Sequence, residues 1–242
     1  MLSVKGKWVL VTGASRGIGK GIAIRMASYG ANIILHARKK ENLKEVAQEV
    51  AKYGVEYKLI EAELSVPENV TRMLSEIDDL GVQVDFVFND AGVQVAYRKD
   101  YYETPVSDYV TSYYINTIAP AMICYHFLPK MQAKGFGRVI NTTSGIMNEP
   151  EQAGYSASKA ALDKITTDLG SKLTGSDVII TLADPGWCRT DLGGSQAPNS
   201  PDSAFPGMIA GAFLDDKKSG RLLHAQDYTT LSLEEAILKI QA

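Results

Sequence analysis

The sequence predicts an α/β protein: a doubly wound parallel sheet with helices on both faces, in a single domain over residues 1–242. Three observations carry the prediction. Short runs rich in β-branched residues alternate with longer helical patterns along the chain. The runs are continuously apolar, as strands buried on both faces are. A glycine-rich turn joins the first run directly to the first helical pattern.

The elements follow in order. Trp8 to Val11 is a strand, and Gly17 to Tyr29 is a helix with Ile18, Ile22 and Met26 at helical spacing. Asn32 to Leu35 is the second strand. Glu41 to Tyr53 is a helix with Leu43, Val46 and Val50 on one face. Tyr57 to Ile60 is a short strand. Pro67 to Leu80 is a helix opening on proline, which its first turn tolerates. Val84 to Phe88 is the fourth strand, followed by a long helical region over about Pro105 to Met131. Arg138 to Asn141, Tyr155 to Leu173 and Val178 to Leu182 continue as strand, helix and strand. From Gly186 to Ser219 the pattern weakens among Gly193, Gly194, Pro198, Pro201, Pro206 and Gly207. This stretch reads as a long mobile segment with one short helix near Ala204 to Leu214. Residues of about 187–218 are expected to form a substrate-binding loop, the alternative being a disordered surface loop. Arg221 to His224 and Leu233 to Ile240 close the chain as a strand and a helix.

Composition narrows the function. With 25 basic and 28 acidic residues, the formal charge of -3 offers no field for nucleic acid. No apolar run approaches the ~20 residues of a membrane span. Cys124 and Cys188 cannot build a disulfide framework, and His36, His126 and His224 lack metal-ligand spacing, so no metal is expected. The expectation is a soluble, cytoplasmic protein.

The first strand runs into Thr12-Gly13-Ala14-Ser15-Arg16-Gly17-Ile18-Gly19. Gly13 suits a tight turn, Gly17 close approach of a diphosphate, and Gly19 helix-on-sheet packing. Free N–H groups at the helix start attract phosphate charge. After the second strand comes His36-Ala37-Arg38-Lys39-Lys40, with no acid before Glu41 to bind ribose hydroxyls. Arg38 can fork onto a 2′-phosphate, with Arg16 nearby, so NADP(H) is expected over NAD(H).

Tyr155 and Lys159 stand one helical turn apart on one face. An ammonium there favours the phenolate, and a phenol of lowered pKa exchanges protons with a carbonyl or alcohol oxygen. Ser144 follows the fifth strand and can hold the substrate oxygen beside Tyr155, or serve as a turn serine. Asn116 lies inside a helical region, where asparagine calls for a partner: backbone, or a water chain toward Lys159. Pro185 and Gly186 turn the chain after the sixth strand. There the Cys188 backbone and the Thr190 hydroxyl can hold an amide-bearing ring and the diphosphate. Cys188 has no histidine base placed to activate it and reads as a passive small residue.

Together these residues resemble the short-chain dehydrogenase/reductase family over about Lys7 to Leu223. The markers are TGASRGIG at Thr12 to Gly19, NDAG at Asn89 to Gly92, Asn116, Ser144, YSASK at Tyr155 to Lys159, and PG at Pro185. The resemblance implies a Rossmann-type fold, with Tyr155 as general acid or base. It implies that Lys159 binds the nicotinamide ribose and lowers the Tyr155 pKa, that Ser144 orients the carbonyl, and that Asn116 holds a relay water. Asn89, Ala91 and Gly92 would line the adenosine half, and Cys188 and Thr190 would position the carboxamide. Glu63, followed by Leu64, stands where the family usually has the aspartate that reads adenine. Asp90 replaces the usual second asparagine. GWxRTDxGG at Gly186 to Gly194 resembles carbonyl-reductase-like members.

The expected activity is NADPH-dependent interconversion of a small-molecule carbonyl and a secondary alcohol. One alternative is a 3-oxoacyl-carrier-protein reductase, docking through a basic patch drawn from Arg98, Lys99, Lys130 and Lys134. Another, of a different class, is a non-catalytic NADP-binding sensor. The family also implies a homodimer or homotetramer through the two long helices, with Tyr109, Tyr113, Ile123, Phe127 and Leu162 as apolar contacts or simply as sheet packing.

Overall fold

A computed structural model describes all 242 residues. Seven parallel strands form one sheet: β1 (Trp8–Val11), β2 (Asn32–Ala37), β3 (Tyr57–Glu61), β4 (Val84–Asn89), β5 (Gly137–Thr142), β6 (Val178–Asp184) and β7 (Arg221–His224). Their order is β3-β2-β1-β4-β5-β6-β7. The order reverses between β1 and β4, whose register pairs Val11 with Phe88. Chain leaving these two strands departs to opposite faces of the sheet, so a crevice opens at their carboxyl ends.

The helices are α1 (Gly17–Ser28), α2 (Lys44–Ala51), α3 (Pro67–Asp79), α4 (Val106–Tyr113), α5 (Ala119–Lys134), α6 (Ala153–Leu173), α7 (Gly207–Ala210) and α8 (Leu233–Gln241). One core, built on Ile22, Met26, Val46, Phe86, Phe213 and Ile237, fills the face under α1, α2 and α8. The other, built on Val70, Leu74, Val87, Phe127, Met131 and Ile180, fills the face under α3 and α5. The long helical region is one rod interrupted by a π-turn at Tyr114–Ile118. Such turns recur at functional positions, and this one carries Asn116.

The segment after β6 departs from expectation. Every residue from Ala204 to Leu214 is buried, so this is core rather than a mobile loop. Phe213 meets the Tyr29 ring edge-on at 5.3 Å, and the Arg25 guanidinium covers the Phe205 ring at 3.8 Å. Arg138, fully buried on β5, anchors the end of the segment. It donates to the Leu214 carbonyl at 2.8 Å and to Asp177 Oδ1 at 2.6 Å.

Three residues expected as possible oligomer contacts, Ile123, Phe127 and Leu162, are also buried against the sheet. The apolar side chains left exposed on the rod are Val106, Tyr109, Val110, Ile118 and Tyr125, of which Tyr109 was among those expected contacts. No helix is long and apolar enough to cross a membrane.

Candidate active site

The glycine turn is built for close approach. Gly13 and Gly17 have φ of 69° and 56°, a left-handed backbone that side chains disfavour. A Cβ on Gly13 would stand 2.8 Å from the Ala91 Cα, so the turn after β1 rests directly on the loop after β4. Thr12 fastens the two loops. Its Oγ1 accepts from the N–H groups of Asp90 at 3.0 Å and Ala91 at 3.1 Å.

His36 braces the same turn from β2. Its Nδ1 accepts the Gly13 N–H at 3.3 Å, and its Nε2 lies 3.1 Å from the Ala62 carbonyl. That pair of partners requires the neutral tautomer with its proton on Nε2. Burial pushes the ring down to about 4, which keeps it neutral. No motif in the sequence marks His36 for this role.

A groove of about 1160 Å³ runs along the carboxyl edge of the sheet. Gly13, Ser15, Arg16, Gly17 and Ile18 line one end, with Arg38, Glu63, Leu64, Ala91 and Gly92 beside them. Ser144, Tyr155 and Lys159 line the other end, with Pro185, Gly186, Cys188 and Thr190. These residues fit a dinucleotide. The glycine turn leaves room for a diphosphate, and the exposed Arg38 reaches the end where an adenosine phosphate would lie. Arg16 instead pairs with Asp191 of the loop after β6 at 2.8 Å. Glu63 Oε1 accepts from the Ser65 N–H at 3.0 Å and from Ser65 Oγ at 2.9 Å.

Two residues assigned to the cofactor do not line the groove. The Asn89 side chain turns into the sheet, where Nδ2 donates to Asn141 Oδ1 at 2.8 Å. As the last residue of a strand paired on both sides, it points into the core face. Gly19 faces Gly13 and Asp90 instead of the groove. The segment 204–214 also lies away from it; within the loop after β6, the lining runs from Pro185 to Cys188 and from Thr190 to Gly194.

At the reactive end, Ser144, Tyr155 and Lys159 converge. Burial raises the Tyr155 phenol above its ordinary value, Ser144 opposes the rise through a side-chain hydrogen bond, and Asp184 and Asp90 add to it. Lys159, expected to lower the Tyr155 pKa, is committed elsewhere: its ammonium donates to the Thr142 carbonyl at 2.6 Å. Burial brings Lys159 down to about 8, against Asp90, Asp163 and Asp184, which hold it up.

Asn116 is fully buried and its partners are backbone and a serine. Its amide accepts from the Val93 N–H and donates to the Val93 carbonyl, both at 2.9 Å, and Nδ2 also lies 3.0 Å from Ser158 Oγ. It clamps the loop after β4 to α6, beneath the groove rather than in it. Cys188 Sγ, buried, lies 3.2 Å from the Pro185 carbonyl, a structural setting. Asp184 ties two rims together, accepting from the Gly145 N–H at 3.1 Å and the Gly186 N–H at 2.9 Å.

A parallel sheet with a glycine turn at its switch point and a tyrosine–lysine helix at the same edge defines a dinucleotide-dependent oxidoreductase scaffold. Residues 7–200 match the model of the short chain dehydrogenase family. The 3-oxoacyl-[acyl-carrier-protein] reductase FabG of Aquifex aeolicus is 31% identical over 194 residues, covering 79% of this chain and 77% of that protein. A metagenomic short-chain oxidoreductase solved in complex with NADP is 30% identical, with a TM-score of 0.71 over 76% of this chain and 84% of that one. A 7α-hydroxysteroid dehydrogenase complexed with NADH and 7-oxo glycochenodeoxycholic acid shares the fold at 23% identity, with a TM-score of 0.77 over 91% of this chain and 93% of that one. The chain belongs to the short chain dehydrogenase family and is an oxidoreductase of that family.

Proposed function

We propose that the protein is an NADP(H)-dependent oxidoreductase that interconverts a small-molecule carbonyl and a secondary alcohol. The observation that carries this reading is the convergence of Ser144, Tyr155 and Lys159 on the groove whose far end presents Arg38. The nicotinamide, when bound, supplies or accepts the hydride. Ser144 holds the substrate oxygen, and the Tyr155 O–H gives that oxygen its proton during reduction. In oxidation the phenolate takes the proton back. Lys159 grips the ribose and keeps a positive charge near the phenol. Asn116 fixes the loop after β4 that walls the groove. Arg38 supplies the charge for the 2′-phosphate.

Purified protein should consume NADPH with at least some aldehydes or ketones. Tyr155→Phe removes one hydroxyl and should abolish nearly all turnover while NADPH still binds. Full activity in that variant would remove Tyr155 from the chemistry. NADPH binding without turnover on a broad carbonyl panel would favour the sensor reading.

The relationship to FabG favours a second reading, reduction of a carrier-linked 3-oxoacyl group. The charges weigh against it. Of the four cations expected to form the patch, Arg98 pairs with Asp108, Lys130 with Asp78 and Lys134 with Asp85, which leaves the exposed Lys99 alone. Lys134 and Asp85 meet at the start of β4, the end of the sheet opposite the groove. At the substrate end the groove is lined by Gln94, Tyr97, Glu149, Gln152, Trp187 and Leu192, none of them cationic. Comparing free with carrier-linked 3-oxoacyl substrates separates the two readings. The exposed apolar side chains of the helical rod support a homodimer or homotetramer, which sedimentation at micromolar concentration tests.

A further inference from the structure

One half-buried charge beside the groove has no part in the scheme above. Asp90 follows β4, and its Oδ1 accepts a 2.8 Å hydrogen bond from Thr142 Oγ1 at the end of β5. The backbone N–H of Gly19, in the first turn of α1, favours its ionised form. A Cβ at Gly19 would stand 2.8 Å from Asp90 Oδ2, so glycine there makes room for the carboxylate. Thr142 works in two directions. Its hydroxyl donates to Asp90, and its carbonyl accepts the Lys159 ammonium at 2.6 Å.

We propose that Asp90 is a positioning residue: its carboxylate, packed between the first turn of α1 and the end of β5, supplies the half-buried negative charge that keeps Lys159 an ammonium at the Thr142 carbonyl. The Thr142 bond alone does not need a charge, because an asparagine Oδ1 can accept it as well. The charge acts on Lys159. An unpaired ammonium in a buried site loses its proton readily, and a nearby carboxylate opposes that loss. Three carboxylates face Lys159. Asp90 after β4 has the largest effect, ahead of Asp163 on α6 and Asp184 at the end of β6. Burial in turn pushes the Asp90 carboxyl up to about 6, while Thr142, Lys159 and Gly19 pull it down. The two groups therefore hold each other ionised.

The effect on turnover rests on the reading of Lys159 as the cation of the reaction, so the test has two readouts. The first is the titration of Lys159 itself in the full chain, followed by NMR of 13Cε-labelled lysine and assigned by the loss of its signal in Lys159→Met. In Asp90→Asn the Lys159 midpoint should fall by about one pH unit or more. Asp163→Asn should lower it less. The wild-type resonance should also show a second inflection near pH 6, where Asp90 takes its proton. The second readout is the alkaline limb of kcat/KM for NADPH-dependent reduction, which should move to lower pH with the NMR midpoint. A Lys159 midpoint unchanged in Asp90→Asn overturns the proposal. So does a wild-type resonance without the acidic inflection, a test that needs no variant. A fallen midpoint with an unmoved kinetic limb upholds the role of Asp90 and refutes the reaction role of Lys159.

Discussion

The neutrality of His36 can be measured as stability. Folding lowers its pKa from 6.5 to about 4, because the ring is buried with no room for a second proton. Between those values the unfolded chain binds a proton that the folded chain refuses. Stability therefore rises with pH through this window and is lost as the solution is acidified. Each tenfold change in proton affinity is worth about 1.4 kcal/mol. The His36 contribution should fall by roughly 2 kcal/mol between pH 7 and pH 5, and by roughly 3 by pH 4. The wild-type curve alone cannot show this. Asp90, raised from 3.8 to about 6, titrates with the opposite sign, since its folded form takes up a proton first and gains stability over nearly the same range. Subtracting a His36→Asn variant isolates the ring. Urea unfolding of both proteins, followed by tryptophan fluorescence at half-unit pH steps, gives the difference. If that difference stays flat within ~0.5 kcal/mol from pH 7 to pH 4, His36 titrates normally and the bracing of Gly13 is refuted.

Two further outcomes follow from single side chains. Arg38→Ser should weaken NADPH about tenfold to a hundredfold, the worth of one or two charge-assisted bonds to phosphate, and leave NADH nearly unchanged; parallel KM measurements check it. Phe213→Ala should cost about 3–5 kcal/mol in denaturant unfolding, as a core truncation does, whereas a mobile loop would lose almost nothing.

The sheet was legible because its signals are local. Continuous apolar runs such as Val178-Ile-Ile-Thr-Leu, and a proline opening α3, declare themselves within a few residues. That Tyr155 and Lys159 would stand together was legible for the same reason, since they share one turn of helix. Asn89 and Asn116 were found as residues, but what each grips was not legible. Asn141 lies 52 positions from Asn89, and Val93 lies 23 positions from Asn116. His36 reaches 23 residues back to Gly13 and 26 forward to Ala62, distances at which no pattern operates. In segment 204–214 the short helix was legible but its burial was not, because the surrounding glycines and prolines suggest a mobile segment and a single turn of helix is too short to show a period. The spacing of Phe205, Met208, Ile209, Phe213 and Leu214 was the available signal, since five large apolar side chains in ten positions are costly to leave in water.

The charges around the phenol also bear on direction. Tyr155 sits above its ordinary value, so at neutral pH it holds its proton. That is the form needed to protonate a carbonyl oxygen, not the form needed to deprotonate an alcohol. Asp184 and Asp90 maintain it by opposing the phenolate directly. They also keep Lys159 charged, which works the other way, but the Thr142 carbonyl holds that ammonium. In the proposed reaction, Lys159, with two donors left after Thr142, is the cation that can give the phenolate the counter-charge oxidation needs. On that reading the two carboxylates bias the resting site toward donating a proton, and Lys159 is the group that opposes the bias.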